Sequence, residues 1–327
     1  MQEIRIEESN AGGRLDKFLQ KALPGAGMSF LFKMLRKKNI TLNGKKALGK
    51  EILATGDRIC FFFSEETYAK FSQNPEGEDV SSYEKAYRML KGIGVIYEDE
   101  NIAILNKPAG VLSQKAAPSD TSINEWFIGY LLHAGQVTPQ SLSMFKPSIC
   151  NRLDRNTTGL ILCGKTLAAT RFLNAMIKDR SLSKFYRTIC EGEIKTAGRL
   201  SGSLSKDEAT NTVTVSTEGD DILTAYEPIA NLKRGCTYLE VDLITGKTHQ
   251  IRAHFASVGH PLLGDDKYGN PRNNQFWKES FGLKHQLLHA YRIVFPKIEE
   301  EMLSNLSEKE FVCELPKQFS NLLKELS

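Results

Sequence analysis

The sequence predicts an α+β fold, in which a small N-terminal module of two helices and a β-hairpin precedes a larger domain with a mixed, largely antiparallel sheet flanked by helices. An Asn43-Gly44 pair, a strong hairpin signal, follows two helical patterns. A polar stretch comes next, and beyond it strand-like runs and helices alternate without a steady βαβ repeat. We therefore expect the module at 1–65, a linker at 66–90 and the larger domain at 91–327.

Local patterns predict the elements of the module. Apolar residues one helical turn apart predict a helix at 13–23, which Pro24 and Gly25 end. Ser29 is the expected N-cap of a second helix at 30–37. Strands are expected at 39–42, 45–47 and 58–63.

The larger domain is predicted in the same way. Strands are expected at 94–97, 102–106, 160–163, 186–191, 213–216, 238–244 and 291–295. Helices are expected at 167–180 and at 249–258, the second capped by Thr248 and ended by Gly259. A short helix is expected at the end of the linker, before residue 91. A strand followed by an amphipathic helix is expected at 297–327.

Composition narrows the functional classes. Of the 327 residues, 41% are hydrophobic and 25% charged, as in a soluble globular protein. Neither a long apolar run nor a signal-peptide pattern is present, so we expect a cytoplasmic protein with no membrane partner. The sequence has no glycine-rich phosphate loop and no Cys-x-x-Cys pair, so no nucleotide cofactor, metal or disulfide is expected.

Positive charge is concentrated near the N-terminus. The net charge is only +4, but residues 1–58 contain twelve Lys/Arg and six Asp/Glu. The cations of the second helix and the hairpin are Lys33, Arg36, Lys37, Lys38, Lys45 and Lys46. Such a run is typical either of a solvated helix face or of a nucleic-acid contact, and charge alone does not decide between them.

The segment 151–160 (NRLDRNTTGL) is the strongest candidate for a chemical site. It places Asp154 between Arg152 and Arg155, in a loop before an apolar strand, where functional groups often lie. The alternatives are a helix N-cap and a surface ion pair, which a lone aspartate forms more often.

A second segment, 245–269 (TGKTHQIRAHFASVGHPLLGDDKYG), supplies a partner for that carboxylate. Arg252 lies within the predicted helix at 249–258, so a rigid element should hold its guanidinium. His249 and His254 have no second ligand at metal spacing and are expected to be ordinary hydrogen-bonding histidines. A carboxylate held by guanidinium groups suits chemistry on an anionic substrate.

The two segments resemble signature segments of the RluA-type pseudouridine synthases, which isomerise uridines in RNA. NRLDRNTTG is similar to the family's H-R-L-D-x-x-T-S-G, and this implies that Asp154 is the catalytic residue. The second segment is similar to T-G-R-T-H-Q-I-R-x-H, which implies that Arg252 pairs with Asp154. Asn151, Asn156 and Thr158 replace a common histidine, aspartate and serine; only Thr158 keeps the usual chemical group, a hydroxyl.

Further segments extend the resemblance over nearly the whole chain. Residues 184–186 (KFY) resemble K-x-Y, which implies that Tyr186 lies against the target base; the alternative is a core aromatic residue. Residues 106–110 (NKPAG) resemble N-K-P-x-G. The N-terminal module resembles the S-four-like RNA-binding fold, whose second helix and hairpin face RNA. This implies that the six cations of those elements contact RNA.

The resemblance implies a cofactor-free reaction in which the glycosidic bond breaks, the uracil turns in place and its C5 atom bonds to the ribose. Asp154 would either attack the anomeric carbon or remove the proton on the ribose 2′ carbon. Pairing with Arg252 favours the ionised carboxylate and hence the nucleophile, but both roles remain open. The uridine must flip out of its stack, and Arg152, Lys107 and Lys247 are candidates for phosphate contacts.

The implied substrate is large-subunit ribosomal RNA, free or in an assembling subunit, because the basic module is typical of the ribosomal-RNA members of the family. Transfer RNA is the alternative. A nucleoside hydrolase that releases uracil and a non-catalytic RNA-binding or ribosome-assembly protein also remain open. We expect a monomer.

Overall fold

The computed structural model of the chain describes residues 1–72, 78–207, 212–216 and 221–327. The elements of the N-terminal module are β1 (Gln2–Arg5), α1 (Leu15–Ala22), α2 (Met28–Arg36), β2 (Ile40–Leu42), β3 (Lys45–Lys46) and β4 (Arg58–Phe61). The strands form an antiparallel sheet in the order β1-β4-β2-β3, and the apolar faces of both helices pack on it. The predicted helices and hairpin are confirmed, whereas β1 was not predicted.

Turn and cap chemistry explains where these elements begin. Asn43 and Gly44 have φ values of 51° and 72°, as a two-residue type I′ hairpin turn requires. The prediction that Ser29 caps α2 is wrong, because the helix begins at Met28 with Gly27 as its N-cap. Met28 packs against the module core, and this contact extends the helix beyond Ser29, which is exposed.

Two helices occupy most of the predicted linker: α3 (Glu65–Phe71) and α4 (Ser81–Met89). Tyr68 and Phe71 of α3 pack on the module core, while Tyr83 and Ala86 of α4 are buried against the larger domain. The short helix expected at the end of the linker is therefore present, but the module extends past residue 65. The predicted linker residues 73–77 lie outside the described part of the chain.

The elements of the larger domain alternate without a βαβ repeat, as predicted. They are β5 (Gly94–Glu98), β6 (Ile102–Lys107), α5 (Ile123–His133), α6 (Pro139–Met144), β7 (Ser148–Ile149), β8 (Thr158–Gly164), α7 (Leu167–Asp179), β9 (Ser183–Glu191), β10 (Gly198–Asp207), β11 (Thr212–Ser216), β12 (Ile222–Leu232), β13 (Cys236–Leu243), α8 (Gln250–Ser257), α9 (Pro271–Phe281), β14 (Leu288–Val294), β15 (Glu310–Val312) and α10 (Lys317–Leu326).

The strands of this domain join into one sheet with the order β11-β10-β12-β13-β9-β14-β8-β6-β5. Among the described strand pairs only β8 and β14 run parallel, so the predicted mixed, largely antiparallel sheet is confirmed. Alternate residues of β8 pack in separate cores on the two faces of the strand. Leu160 and Leu162 pack with α7, whereas Ile161 and Cys163 pack with α5 and α8.

Helix α5 was not predicted because it is buried on most sides and lacks an amphipathic pattern. Its Gly129 lies so close to α4 that a Cβ atom there would come within 2.3 Å of the Tyr83 carbonyl oxygen. The module in turn contacts the larger domain. Arg171 of α7 donates to the Gly12 carbonyl, and the Lys21 ammonium lies 2.7 Å from the Met144 carbonyl oxygen.

Within the described residues, no helix is both long and apolar enough to cross a membrane.

Candidate active site

A cleft of about 1220 Å³ opens where the loop before β8, the loop before α8 and the start of β9 meet. The described residues that line it include nine Lys/Arg but only three Asp/Glu. This excess of positive charge makes the cleft attractive to a polyanion.

Asp154 lies at the floor of the cleft, with 23% of its side chain exposed. Its position depends on the residue before it. Leu153 is buried, and the Ser113 hydroxyl both donates to its carbonyl oxygen at 2.7 Å and accepts from its amide at 2.9 Å. The Thr157 amide donates to the Asp154 carbonyl oxygen and closes the turn. The loop therefore presents the carboxylate at a defined point.

Arg252 of α8 is the partner of this carboxylate, at 3.0 Å between Nη1 and Asp154 Oδ2. Its Nε atom donates to Asp265 Oδ2 and its Nη2 atom donates to Asp265 Oδ1, both at 2.7 Å. Asp265 is fully buried. Burial alone would lower the pKa of Arg252, but Asp265 and then Asp154 outweigh it and raise that pKa. The bidentate pair fixes the guanidinium so that Nη1 faces Asp154.

Asp265 was missed by sequence reasoning, although it lies in the 245–269 segment. It also accepts hydrogen bonds from the Lys267 and Tyr268 amides, and so ties its own loop to Arg252. The adjacent Asp266 is 64% exposed and only 3.4 Å from Arg252 Nη2. The two aspartates are neighbours of the same residue type, and in the structure their burial separates them.

Tyr186 lies on β9 at the wall of the same cleft and is 5% exposed. Burial, and then the charge of Asp154, raise the pKa of its hydroxyl. At neutral pH the hydroxyl is therefore protonated and can donate a hydrogen bond.

His249 lies closer to this centre than expected from the sequence. Its Nε2 atom is 3.9 Å from Asp154 Oδ2, and its Nδ1 atom is hydrogen-bonded to the Tyr268 hydroxyl at 2.9 Å. Burial lowers the pKa of His249. The predicted Thr248 cap is wrong: His249 occupies the N-cap position of α8 in a left-handed conformation (φ 54°), and its side chain makes no cap hydrogen bond.

The Lys107 assignment as a phosphate contact is also wrong. Its side chain is fully buried, and its ammonium donates to the carbonyl oxygens of Pro108, Val111 and Arg155 at 2.8–3.0 Å. Lys107 therefore joins the 108–111 loop to the loop that carries Asp154. Burial lowers the pKa of Lys107 to about 7, while Asp154 acts in the opposite direction.

Substitution of this lysine should make its burial measurable as a pH dependence. Between about pH 7 and pH 10.5 the unfolded chain binds more protons at Lys107 than the folded chain. The free energy of unfolding of the wild type, minus that of Lys107→Met, should therefore rise with pH across this window and be constant below it. Urea denaturation of both proteins, at pH values below and within the window, measures this difference in the free energy of unfolding. A difference independent of pH would mean that the three carbonyl oxygens fully offset the effect of burial.

The remaining predicted residues divide into cleft and surface positions. Arg152 and Lys247 are exposed on the cleft. Asn151 bonds instead to the backbone of β8, accepting from the Leu162 amide at 2.7 Å, and Thr158 contacts His289 Nδ1 at 2.7 Å. The six cations of α2 and the hairpin, Lys33, Arg36, Lys37, Lys38, Lys45 and Lys46, are all exposed on the module, away from the cleft lining.

Among the described residues, no group of three or more His, Cys, Asp or Glu side chains is arranged to hold a metal ion. His254 is hydrogen-bonded to Thr224 through Nδ1, in agreement with its expected role. All six cysteines are free thiols.

Comparisons with known proteins identify relatives of this chain. The family model described as RNA pseudouridylate synthase matches residues 101–257. An uncharacterised RNA pseudouridine synthase of Mycoplasma pneumoniae is 32% identical over 324 residues, which cover 96% of this chain and 95% of that protein. The ribosomal large subunit pseudouridine synthase D of Neisseria meningitidis serogroup B is 32% identical over 296 residues, covering 87% of this chain and 72% of that one.

A solved structure shares the fold. The human RNA pseudouridylate synthase domain containing 4 superposes with a TM-score of 0.52 at 20% identity, over 75% of this chain and 96% of that chain. Because the two bacterial relatives match 96% and 87% of this chain at 32% identity, this chain belongs to the RNA pseudouridine synthase family as an RluA-type enzyme.

Proposed function

We propose that this enzyme converts uridine to pseudouridine in large-subunit ribosomal RNA, with Asp154 as its catalytic residue. The observation that carries the proposal is the ion pair of Asp154 with Arg252, itself clamped by the buried Asp265, in a cleft rich in cations. Similarity to a ribosomal large subunit pseudouridine synthase supports the choice of RNA. A ribosomal substrate also favours the cytoplasm as the compartment.

Asp154 is proposed to act as a nucleophile on the flipped-out uridine. Its carboxylate bonds to C1′ as the N1–C1′ bond breaks and the uracil leaves with the electron pair. The uracil turns, its C5 atom displaces the carboxylate from C1′, the C5 proton is lost and N1 is protonated. Arg252 beside the carboxylate supports an ionised nucleophile rather than a general base, whose pKa should lie near the working pH.

Tyr186 is proposed to stack on the uracil and to donate a hydrogen bond to it. Its raised pKa argues against a phenolate that removes the C5 proton at neutral pH. Tyr186→Phe keeps the ring and loses the hydroxyl, so we expect RNA affinity to be unchanged and turnover to fall by about 10²-fold. Single-turnover assays beside equilibrium binding measure both. Full turnover by Tyr186→Phe would limit this residue to stacking, and Tyr186→Leu would then test the ring alone.

The N-terminal module is proposed to bind RNA outside the cleft through the six exposed cations of α2 and the hairpin. Its contacts with α6 and α7, including Arg171 to Gly12 and Lys21 to Met144, support a fixed placement beside the larger domain. RNA held there would be delivered to the cleft while Arg152 and Lys247 contact phosphates. We propose that the enzyme acts as a monomer.

The test is pseudouridine mapping of ribosomal and transfer RNA in cells that lack the protein, complemented with wild type or Asp154→Asn. Loss of defined ribosomal sites, restored by wild type alone, is the expected result. Loss confined to transfer RNA would overturn the ribosomal substrate. Release of free uracil by the purified enzyme would indicate a hydrolase.

A further inference from the structure

We propose that Lys184, at the start of β9, binds a phosphate of the RNA substrate at the wall of the cleft. This inference rests on the proposed function, since it takes RNA to enter the cleft that holds Asp154.

The position of Lys184 relative to Tyr186 is the first support. Residues two apart on a strand share a face, so both side chains lie on the same side of β9, roughly 6.6 Å apart along the strand. Both line the cleft. A single nucleotide, with its base against Tyr186 and its backbone toward the start of β9, spans that distance.

The ammonium of Lys184 has no ion-pair partner within the described residues. The residue is 7% exposed, yet no acceptor in the described parts of the chain takes a hydrogen bond from it. Burial of the side chain lowers the pKa of Lys184, while its nitrogen still reaches the open cleft. A side chain kept in this state at the wall of a cleft is suited to an anion that arrives with the substrate.

The nearest carboxylate does not neutralise this lysine. Asp242 is its electrostatic neighbour, but the ion pairs found among the described residues include none between the two. Asp242 also interacts with Arg292 and Arg199, and with the like charge of Glu240, so its carboxylate does not belong to Lys184 alone.

Two further cations extend the positive wall. Lys178 and Arg180 line the same cleft from the end of α7, across the short turn that leads to β9. Arg180 adopts a left-handed conformation (φ 67°), which ends the helix and leaves its side chain exposed. The backbone of the RNA therefore meets a cationic surface on this side of Tyr186, with Lys184 as its innermost charge.

The test compares the salt dependence of RNA binding for Lys184→Met and the parent enzyme, both carrying Asp154→Asn so that no turnover occurs. A plot of the logarithm of the RNA association constant against the logarithm of the salt concentration has a negative slope. Loss of one phosphate contact should make that slope less steep by about 0.7–0.9 and weaken binding at low salt. Lys184→Arg should restore the slope. Lys324→Met, an exposed lysine of α10 outside the cleft lining, is the matched control and should keep the parent slope.

Other outcomes overturn the inference. An unchanged slope for Lys184→Met would do so, as would a lower melting temperature with unchanged RNA binding, which indicates a purely structural lysine. If Lys184→Met does not fold, Lys184→Gln replaces it. A separate readout tests the proposed function: turnover by Asp154→Asn alone would refute the assigned active site, whereas an inactive Asp154→Asn with a normal Lys184→Met slope would refute only the phosphate contact.

Discussion

Replacement of Asp154 by asparagine should abolish pseudouridine formation, with a loss of turnover of roughly 10³-fold or more. The amide has the shape of the carboxylate and can still accept from Arg252 Nη1, but it can neither form the bond to C1′ nor accept the ribose proton. RNA affinity should be unchanged or slightly higher, because the substitution removes a negative charge from a cationic cleft. Quantifying pseudouridine by mass spectrometry, together with equilibrium RNA binding, measures both quantities.

Asp266→Asn is the matched control for this experiment. Asp266 lines the same cleft and approaches the same arginine, at 3.4 Å, but is largely exposed. Its substitution should leave turnover within a few-fold of the wild type. Equal losses in the two variants would attribute the effect to cleft charge rather than to chemistry at Asp154.

Among the substitutions proposed for this protein, removal of the Arg252 guanidinium should lower the free energy of unfolding most. Arg252→Met leaves the fully buried Asp265 without its cation, which should lower the free energy of unfolding by about 3–5 kcal/mol. Turnover should fall as well, because Asp154 loses its only arginine contact among the described ion pairs. Urea denaturation, combined with assays well below the transition, separates the two effects.

A double-mutant cycle identifies the source of that loss. Adding Asp265→Asn to Arg252→Met removes the stranded charge, so the double variant should be more stable than Arg252→Met alone. Activity should not return. Arg292→Met is the control: Arg292 pairs with Glu240 and Glu310 at a partly exposed site, and its loss should cost about 1 kcal/mol or less. A double variant no more stable than the single one would show that lost packing, not the unpaired charge, destabilises the protein.

Local elements of the fold were accessible from the sequence. The Asn43-Gly44 turn and the apolar faces of α1 and α7 depend on neighbours within a few residues, so pattern alone predicted them. Helix α3 was not predicted because its segment is mostly polar, and only Tyr68 and Phe71 are described as packing on the module core. Helix α5 escaped for the opposite reason, since burial on most sides removes the amphipathic signal.

The sequence by itself determined the family, the two segments of the site and, through the resemblance, the pairing of Asp154 with Arg252, because these depend on which residue types follow one another. The tertiary structure alone decided which charges are buried. It places Lys107 beneath the Asp154 loop rather than against phosphate, selects Asp265 over the adjacent Asp266 as the clamp, and leaves Lys184 without a hydrogen-bond acceptor among the described residues. The physical reason is that desolvation and ion pairing arise from contacts between segments far apart in the chain, so residue type and spacing do not encode them.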